Sequence, residues 1–298
     1  MIFPQSPDFS APLPPEQRDF AQDCFESWYS SRNWMAFPFQ RDMLEAVLSG
    51  CSGLLNAPTG SGKTYAAWIP LLCRHMAGQP FASAQEKSGS PEKSGSPQKG
   101  LTFLWITPLR ALAKDIRNAL QAACDAYDLG WSVELRTGDT PTAQKQAQMR
   151  QMPRVLVITP ESLHLFLARK GYPKLLAGLE AVVVDEWHEL LGSKRGVQVE
   201  LALSRLRRLN PNLSVWGISA TIGNLVQAAE VLLGPAMDPA RMALVRADSR
   251  RVPEMRTLIP DNLADIAWGG HLGTRLLAKV MPVLDEAGTT LVFTNTRA

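Results

Sequence analysis

Asn56-Ala-Pro-Thr-Gly-Ser-Gly-Lys-Thr64 has the residue types and spacing of a turn built to hold phosphate. Leu54 and Leu55 read as the end of a buried strand, and Lys63 to Ile69 as the first turns of a helix. Between them Gly60 and Gly62 let the backbone wrap a phosphate chain, so that the amides at the helix start aim N–H donors at negative oxygens. Lys63 adds a point charge toward the outer phosphates, and Thr64 offers a hydroxyl to Mg²⁺. The strict pattern has Gly where Ala57 stands, so the turn is a variant, with Thr59, Gly60, Ser61, Gly62, Lys63 and Thr64 as its expected nucleotide contacts. A second signal is Asp185-Glu186, an acidic pair at the end of the apolar run Val182-Val-Val184. In the same sheet as a P-loop, Asp185 would hold Mg²⁺ through a bound water while Glu186 aligns and deprotonates the water attacking the γ-phosphate. Lys63 and Glu186 are therefore the expected catalytic residues, and Thr64 with Asp185 the expected metal ligands. Upstream, Gln40 can read an adenine edge by accepting and donating together, and an aromatic such as Phe37 can stack on the ring. His188, directly after the acidic pair, reads either as a satisfied loop histidine or as a bridge to Ser219-Ala-Thr221 that transmits the phosphate state. Trp187 reads as packing.

These residues need a frame, and short apolar runs alternating with helical patterns provide one. Phe103-Leu-Trp-Ile106 leads into Thr107-Pro-Leu-Arg110, Val133-Glu-Leu135 into Arg136-Thr-Gly-Asp139, and Val155-Leu-Val-Ile158 into Thr159-Pro-Glu-Ser162. Val215-Trp-Gly-Ile218 leads into Ser219-Ala-Thr221, with a helical pattern over Leu225–Leu233. Continuous apolar strands alternating with helices predict an α/β fold with a parallel sheet covered on both faces. Ligands in such sheets bind beyond the carboxyl ends of the strands, where each polar tetrapeptide falls. Thr and Ser hydroxyls, loop N–H groups and one Arg suit phosphate oxygens and carry no base code, as sequence-independent tracking of a strand requires. Each Thr-Pro also fits a helix start, since Thr caps and Pro favours the first turn. Three candidate strands between the P-loop and the acidic pair suit an ATPase better than a small-molecule kinase.

In order, Ala57-Pro-Thr-Gly-Ser-Gly-Lys-Thr64, Asp185-Glu-Trp-His188 and Ser219-Ala-Thr221, with Gln40 upstream, resemble motifs I, II and III and the Q motif of superfamily 2 DExH-box helicases. The run Val184-Asp-Glu-Trp-His-Glu-Leu-Leu-Gly-Ser-Lys-Arg-Gly-Val197 is similar to the large helicase-related (Lhr) branch, including its ligase-associated members. The resemblance covers roughly residues 35–297. It implies a RecA-like ATP-binding domain and an ATP-driven translocase that tracks one DNA strand 3′ to 5′ and displaces its partner, with DNA-repair enzymes as possible company. It further implies strand-backbone contacts by Thr107, Pro108 and Arg110, by Thr137, Gly138 and Asp139, and by Thr159, Pro160, Glu161 and Ser162. Near the end, Thr290-Leu-Val-Phe-Thr-Asn-Thr-Arg297 resembles motif IV at the first strand of a second RecA-like domain, with Thr294 and Asn295 as further strand contacts. Motifs V and VI, with the arginine finger, are not in the sequence, so the expectation is the N-terminal half of a motor whose complete polypeptide couples hydrolysis to movement. Losing a transition-state arginine costs P-loop NTPases about 10³–10⁵ in kcat. The alternative is a non-catalytic module that binds ATP and nucleic acid. A GTPase would need an Asn-Lys-x-Asp guanine reader, which the sequence lacks.

Composition bounds these readings. The chain of 298 residues, 45% hydrophobic and 20% charged, can build a sizeable core. A net charge of only +3 neither demands nor excludes a nucleic-acid partner. Cys24, Cys51, Cys73 and Cys124 lack Cys-x-x-Cys spacing, so neither a zinc site nor a disulfide framework is suggested, and a reducing cytoplasm is the simplest setting. No apolar stretch is long enough to span a bilayer. Prolines keep residues 1–15 extended or disordered until a helix starts near Glu16, and Phe20, Phe25, Trp28 and Tyr29 then fall at near-helical spacing. Pro70 is expected to bend or end the P-loop helix. Residues 16–240 form the expected first domain, interrupted at 84–100 by a flexible insertion holding two copies of Glu-Lys-Ser-Gly-Ser-Pro. Arginine-rich residues 241–260 read as a linker and 261–298 as the start of a second, incomplete domain.

Overall fold

The six apolar runs become strands of one seven-stranded parallel sheet in the computed structural model, which describes residues 8–78, 100–235, 237–247, 254–259 and 276–293. They are β1 (Ser52–Asn56), β2 (Phe103–Ile106), β3 (Val133–Arg136), β4 (Val155–Ile158), β5 (Ala181–Val184), β6 (Ser214–Ser219) and β7 (Met242–Arg246). Their order across the sheet is β3-β4-β2-β5-β6-β1-β7. All ladders are parallel, with Leu55 opposite Ile218, Val184 opposite Gly217 and Ile106 opposite both Val184 and Ile158. Because side chains alternate along a strand, an all-apolar run feeds two cores. Leu55, Phe103, Trp105, Val157, Val183 and Ile218 enter one. Leu54, Leu104, Ile106, Leu156, Val182 and Val215 enter the other.

Four helices cover the first core: α1 (Pro15–Ser30), α2 (Pro38–Leu48), α3 (Lys63–Ala77) and α4 (Arg110–Ala126). The aromatic stripe of α1 is used for packing, with Phe25, Trp28 and Tyr29 buried. The second core is covered by α6 (Pro160–Leu167), α9 (Lys194–Leu209) and α10 (Leu225–Leu233), with α5 (Thr142–Arg150), α7 (Tyr172–Leu175) and α8 (Trp187–Leu190) as further helices between strands. Side-chain caps start two of these: Ser193 accepts from the Gly196 amide and Asn224 from the Gln227 amide.

Three expectations shift. Pro70 does not end α3, which runs on to Ala77 with nearly every residue after Tyr65 buried; packing against α1, α2 and α4 outweighs the lost backbone bond. The described part of the N-terminal stretch is irregular, with a turn at Phe9-Ser10, but tied down. Phe9 is buried against Phe103, and Arg74 of α3 donates to the carbonyls of Asp8, Ala11, Val47 and Leu48. Burial lowers the Arg74 pKa to about 10, so it stays charged at neutral pH. The expected linker 241–260 is not all linker, because Met242–Arg246 adds β7 alongside β1. A Cβ on Gly53 would lie 1.8 Å from the Ala243 carbonyl oxygen, so only glycine lets these two backbones meet.

The chain divides into two units, residues 1–249 and 250–298. In the second, a helix spans Leu277–Glu286, and Lys279 donates to the Ile259 carbonyl. Residues 291–293 are exposed and not in a strand, while Thr294 and Asn295 lie outside the described residues. The repeat-bearing insertion also lies outside them, apart from Gly100.

Candidate nucleotide site and nucleic-acid edge

The P-loop leaves the carboxyl end of β1 and delivers the chain into α3. Gly60 and Gly62 adopt φ +78° and +84°, left-handed values that L side chains rarely take, and Gly62 is the residue from which α3 begins. Ser61 Oγ donates to the Pro58 carbonyl at 2.7 Å, holding the turn. Thr59 and Gly60 are exposed, and Thr64 is half-buried in the first turn. Lys63 is only 9% exposed, yet its Nζ has no hydrogen-bond partner among the described residues. A buried ammonium without partners costs several kcal/mol by order of magnitude, a cost that a bound polyanion would remove.

Asp185 directly follows β5, two strands from β1 on the same sheet edge. Its carboxyl is pushed up to about 6, by burial first and then by the neighbouring Glu186 carboxylate. The Trp105 indole N–H at 3.4 Å, the Glu186 amide at 3.0 Å and the charge of Lys63 pull the other way. Glu186 has φ +46° and ψ +49°, a left-handed conformation that costs a non-glycine residue about 1–2 kcal/mol. Trp187 is fully buried and donates to the Ala228 carbonyl, which locks α8 onto the second core.

Between these two groups lies the end of β6. His188 Nδ1 is 3.1 Å from Ser219 Oγ and 3.4 Å from Glu186 Oε2. The Ser219 carbonyl accepts from the Ala57 amide at 3.0 Å, while the Asn56 side-chain amide donates to Ala220 O at 3.1 Å and, more weakly, to Ser219 O. Asn56, which the sequence reading passes over, thus ties the P-loop to Ser219-Ala220. Thr221 is exposed one residue beyond. Gln40 is buried beside Gly62, where an added Cβ would come within 3.1 Å of Gln40 Nε2. Gln40 Oε1 accepts from the Phe37 amide at 2.9 Å, leaving Nε2 as its remaining donor. Phe37 is 56% exposed, its ring stacked on Phe39.

The neighbouring half of the edge, beyond β2, β3 and β4, is organised differently. Thr107, Thr137 and Thr159 are buried, and their hydroxyls serve their own turns. Thr107 Oγ1 accepts from the Leu109 amide at 3.4 Å, Thr137 Oγ1 from the Asp139 amide at 3.2 Å, and Thr159 Oγ1 donates to Ser162 Oγ at 3.1 Å. Pro108, Pro160 and Ser162 are buried as well. The groups that reach solvent are charged or backbone. Arg110 lies over exposed Gly138 and pairs with Asp139 at 3.5 Å. Arg195, absent from the expected set, pairs with Glu161 at 2.6 Å. Burial alone would raise the Glu161 pKa, but the Arg195 hydrogen bond leads the groups that hold it below the ordinary carboxylate value.

A magnesium nucleotide fits the first half. The glycine turn is open above Gly60, the Lys63 ammonium is unpartnered, and Asp185 is a desolvated carboxylate suited to a cation. No helix among the described residues is long and apolar enough to cross a membrane. Residues 37–229 match the DEAD/DEAH box helicase family. The ATP-dependent helicase Lhr-Core of Methanocaldococcus jannaschii is 30% identical over 283 residues, covering 92% of this chain and 32% of the relative. The Lhr helicase/uracil glycosylase of Escherichia coli is 31% identical over 271 residues, 82% of this chain and 17% of that protein. The Mycobacterium smegmatis helicase Lhr, solved bound to ssDNA and AMP-PNP, superimposes with a TM-score of 0.65 at 27% identity, over 93% of this chain and 34% of that one. The chain thus spans about a third or less of the length of these relatives.

Proposed function

Since the chain belongs to the DEAD/DEAH box helicase family, we propose that it is the ATP-binding half of a motor that hydrolyses ATP to move along a single nucleic-acid strand. The observation that carries this reading is the buried, unpartnered Lys63 ammonium on the same sheet edge as the desolvated Asp185 carboxylate. An unpartnered ammonium and a desolvated carboxylate on the edge that carries a glycine turn suit a polyphosphate with a divalent cation better than any neutral ligand.

In this proposal the amides at the start of α3 and the Lys63 Nζ hold the phosphates, Thr64 and Asp185 hold Mg²⁺, and Gln40 with Phe37 receives the adenine. The cation, when bound, supplies charge neutralisation at the outer phosphate oxygens. Glu186 orients the attacking water and accepts its proton on a carboxylate oxygen. His188, 3.4 Å from Glu186 and 3.1 Å from Ser219, reports that step to the end of β6. Ser219 and Ala220 pass it to the P-loop through Asn56 and the Ala57 amide, while the exposed loop groups beyond β2, β3 and β4 grip the strand. Carrying the strand on backbone contacts makes the grip independent of sequence.

DNA as the strand is proposed on the likeness to the M. smegmatis helicase, which was solved with ssDNA. Repair enzymes as partners are proposed on the likeness to the E. coli helicase/uracil glycosylase. A cytoplasmic setting accords with the free cysteines Cys24, Cys51, Cys73 and Cys124. The decisive experiment measures ATP hydrolysis, with and without single-stranded DNA, by the polypeptide extended to the length of the Lhr relatives. DNA-stimulated turnover is expected, and both Lys63→Ala and Glu186→Gln should abolish it. Retention of the parent rate by either variant rejects the assignment.

A further inference from the structure

The loop groups expected to touch a strand leave a gap in the physical account, because the three threonine hydroxyls are turned inward and used by their own turns. Sequence-independent binding needs donors that reach phosphate. Arg195 supplies one. It sits in the first turn of α9, seven residues beyond His188, with its side chain 38% exposed. Its Nε donates to Glu161 Oε1 at 2.6 Å, and its Nη2 donates to the Pro108 carbonyl at 2.8 Å and weakly to Glu161 Oε2 at 3.4 Å. The Nη1 amine is left with no bond among the described residues. Arg195 is thereby pinned between the loop after β2 and the loop after β4, which are adjacent strands. Pro108, to which it bonds, is two residues from the solvent-facing Arg110.

We propose that Arg195 is a strand-contacting residue, its Nη1 donating to a backbone phosphate, and that the Glu161 carboxylate restrains this grip by pairing with it. The inference rests on the nucleic-acid reading above and changes the role of Glu161, which no longer touches the strand. A carboxylate has no proton to give a phosphate oxygen and repels it, so at a strand edge it can only subtract from affinity or orient a donor. Glu161 does both: it fixes the guanidinium plane through two bonds and brings the pair to zero net charge. Restraint of this kind suits a translocase, because a strand that must be released at every step cannot be held by every available cation.

Salt-dependent binding separates this from a structural role. Each phosphate contact on a single strand contributes about 0.7 to the slope of log K against log salt. The experiment titrates a fluorescent single-stranded oligodeoxynucleotide with the 298-residue chain at several salt concentrations, beside Arg195→Ala and Glu161→Gln, and records thermal unfolding of each. Arg195→Ala should weaken binding about tenfold or more at low salt and flatten the slope by about 0.7. Glu161→Gln, whose amide oxygen can still accept from Arg195, should tighten binding about two- to fivefold and steepen the slope. If Arg195→Ala unfolds early, the sign of the Glu161→Gln effect decides alone. A parent-like slope in a folded Arg195→Ala chain, or weaker binding by Glu161→Gln, overturns the proposal while leaving the nucleic-acid reading standing. A parent chain with no salt-dependent strand binding removes both.

Discussion

The two halves of the sheet's carboxyl edge treat their polar groups in opposite ways. Around β1, β5 and β6 the groups are left wanting: Lys63 Nζ is buried without a partner, Asp185 is desolvated, and Glu186 sits in a strained backbone conformation. Around β2, β3 and β4 each group already has a partner: the threonine hydroxyls bond within their own turns, and Arg110 and Arg195 are paired with Asp139 and Glu161. The contrast suits the two proposed ligands. A nucleotide bound tightly at fixed positions can repay buried, unsatisfied charge, whereas a strand that slides needs shallow contacts exchanged for others of similar strength.

The sharpest way to break this comparison is at Lys63. Lys63→Met removes a buried ammonium and should raise the stability of the ligand-free chain by about 1–3 kcal/mol, while lowering affinity for an ATP analogue by about 100-fold or more. Chemical denaturation and fluorescence titration read the two effects. A loss of stability would mean that the lysine is satisfied in the free protein, and the contrast between the halves would go.

Ligand removal comes next. A magnesium ATP analogue at 100 times its Kd should stabilise the chain by about 2.7 kcal/mol, shifting the melting temperature by roughly 5–10 °C. Chelating the metal should cancel most of the shift, because Thr64 and Asp185 are proposed to bind the nucleotide through Mg²⁺. An equal shift with and without chelator would remove the metal from the site. A single-stranded oligonucleotide at the same multiple of its Kd must stabilise equally by mass action, so the informative quantity is its Kd, expected to be far more salt-dependent than that of the analogue.

The doubly covered parallel sheet is legible in the chain because its signal is local: six apolar runs, each followed by a polar turn and a helical pattern. What is missed depends on partners distant in sequence. Met242–Arg246 is a strand because Gly53 lets it approach β1, yet Arg241 just before it and Arg246 at its end give it the look of a linker. Pro70 is tolerated because α3 is packed over most of its circumference. Spacing places Thr107, Thr137 and Thr159 at strand ends but says nothing of which way their hydroxyls turn, and that direction separates capping from phosphate contact. Arg195 carries a sequence signal only as a member of the Lhr-like run Val184–Val197, which assigns it no contact; its bonds to Pro108 and Glu161, 87 and 34 residues away, appear only in the fold.

The inward hydroxyls make the opposite prediction to Lys63. Thr107→Val keeps the side chain's shape but leaves the Leu109 amide without its partner, and should cost about 1 kcal/mol of stability with little change in nucleotide affinity. Thr137→Val should do the same through the Asp139 amide. Strand affinity should fall less than twofold in either variant if the hydroxyls serve the turns alone. A large loss of binding without loss of stability would return these threonines to direct contact with the strand.

The smallest effect on stability is expected at Arg110 and Asp139, whose side chains are 56% and 74% exposed and whose closest approach is 3.5 Å. Exposed pairs of this kind contribute about 0–1 kcal/mol and are screened by salt, so Asp139→Asn should leave the unfolding midpoint almost unmoved. Its effect should appear in binding. Without the Asp139 carboxylate the pair carries one more unit of net positive charge, and the salt slope should steepen, as expected for Glu161→Gln, with a smaller gain because the parent pair is looser. Arg110→Ala should flatten the slope by about 0.7. If Asp139→Asn instead weakens binding, Asp139 orients the Gly138 loop toward the strand and does not restrain Arg110, and the two Arg–carboxylate pairs on this half of the edge work by different physics.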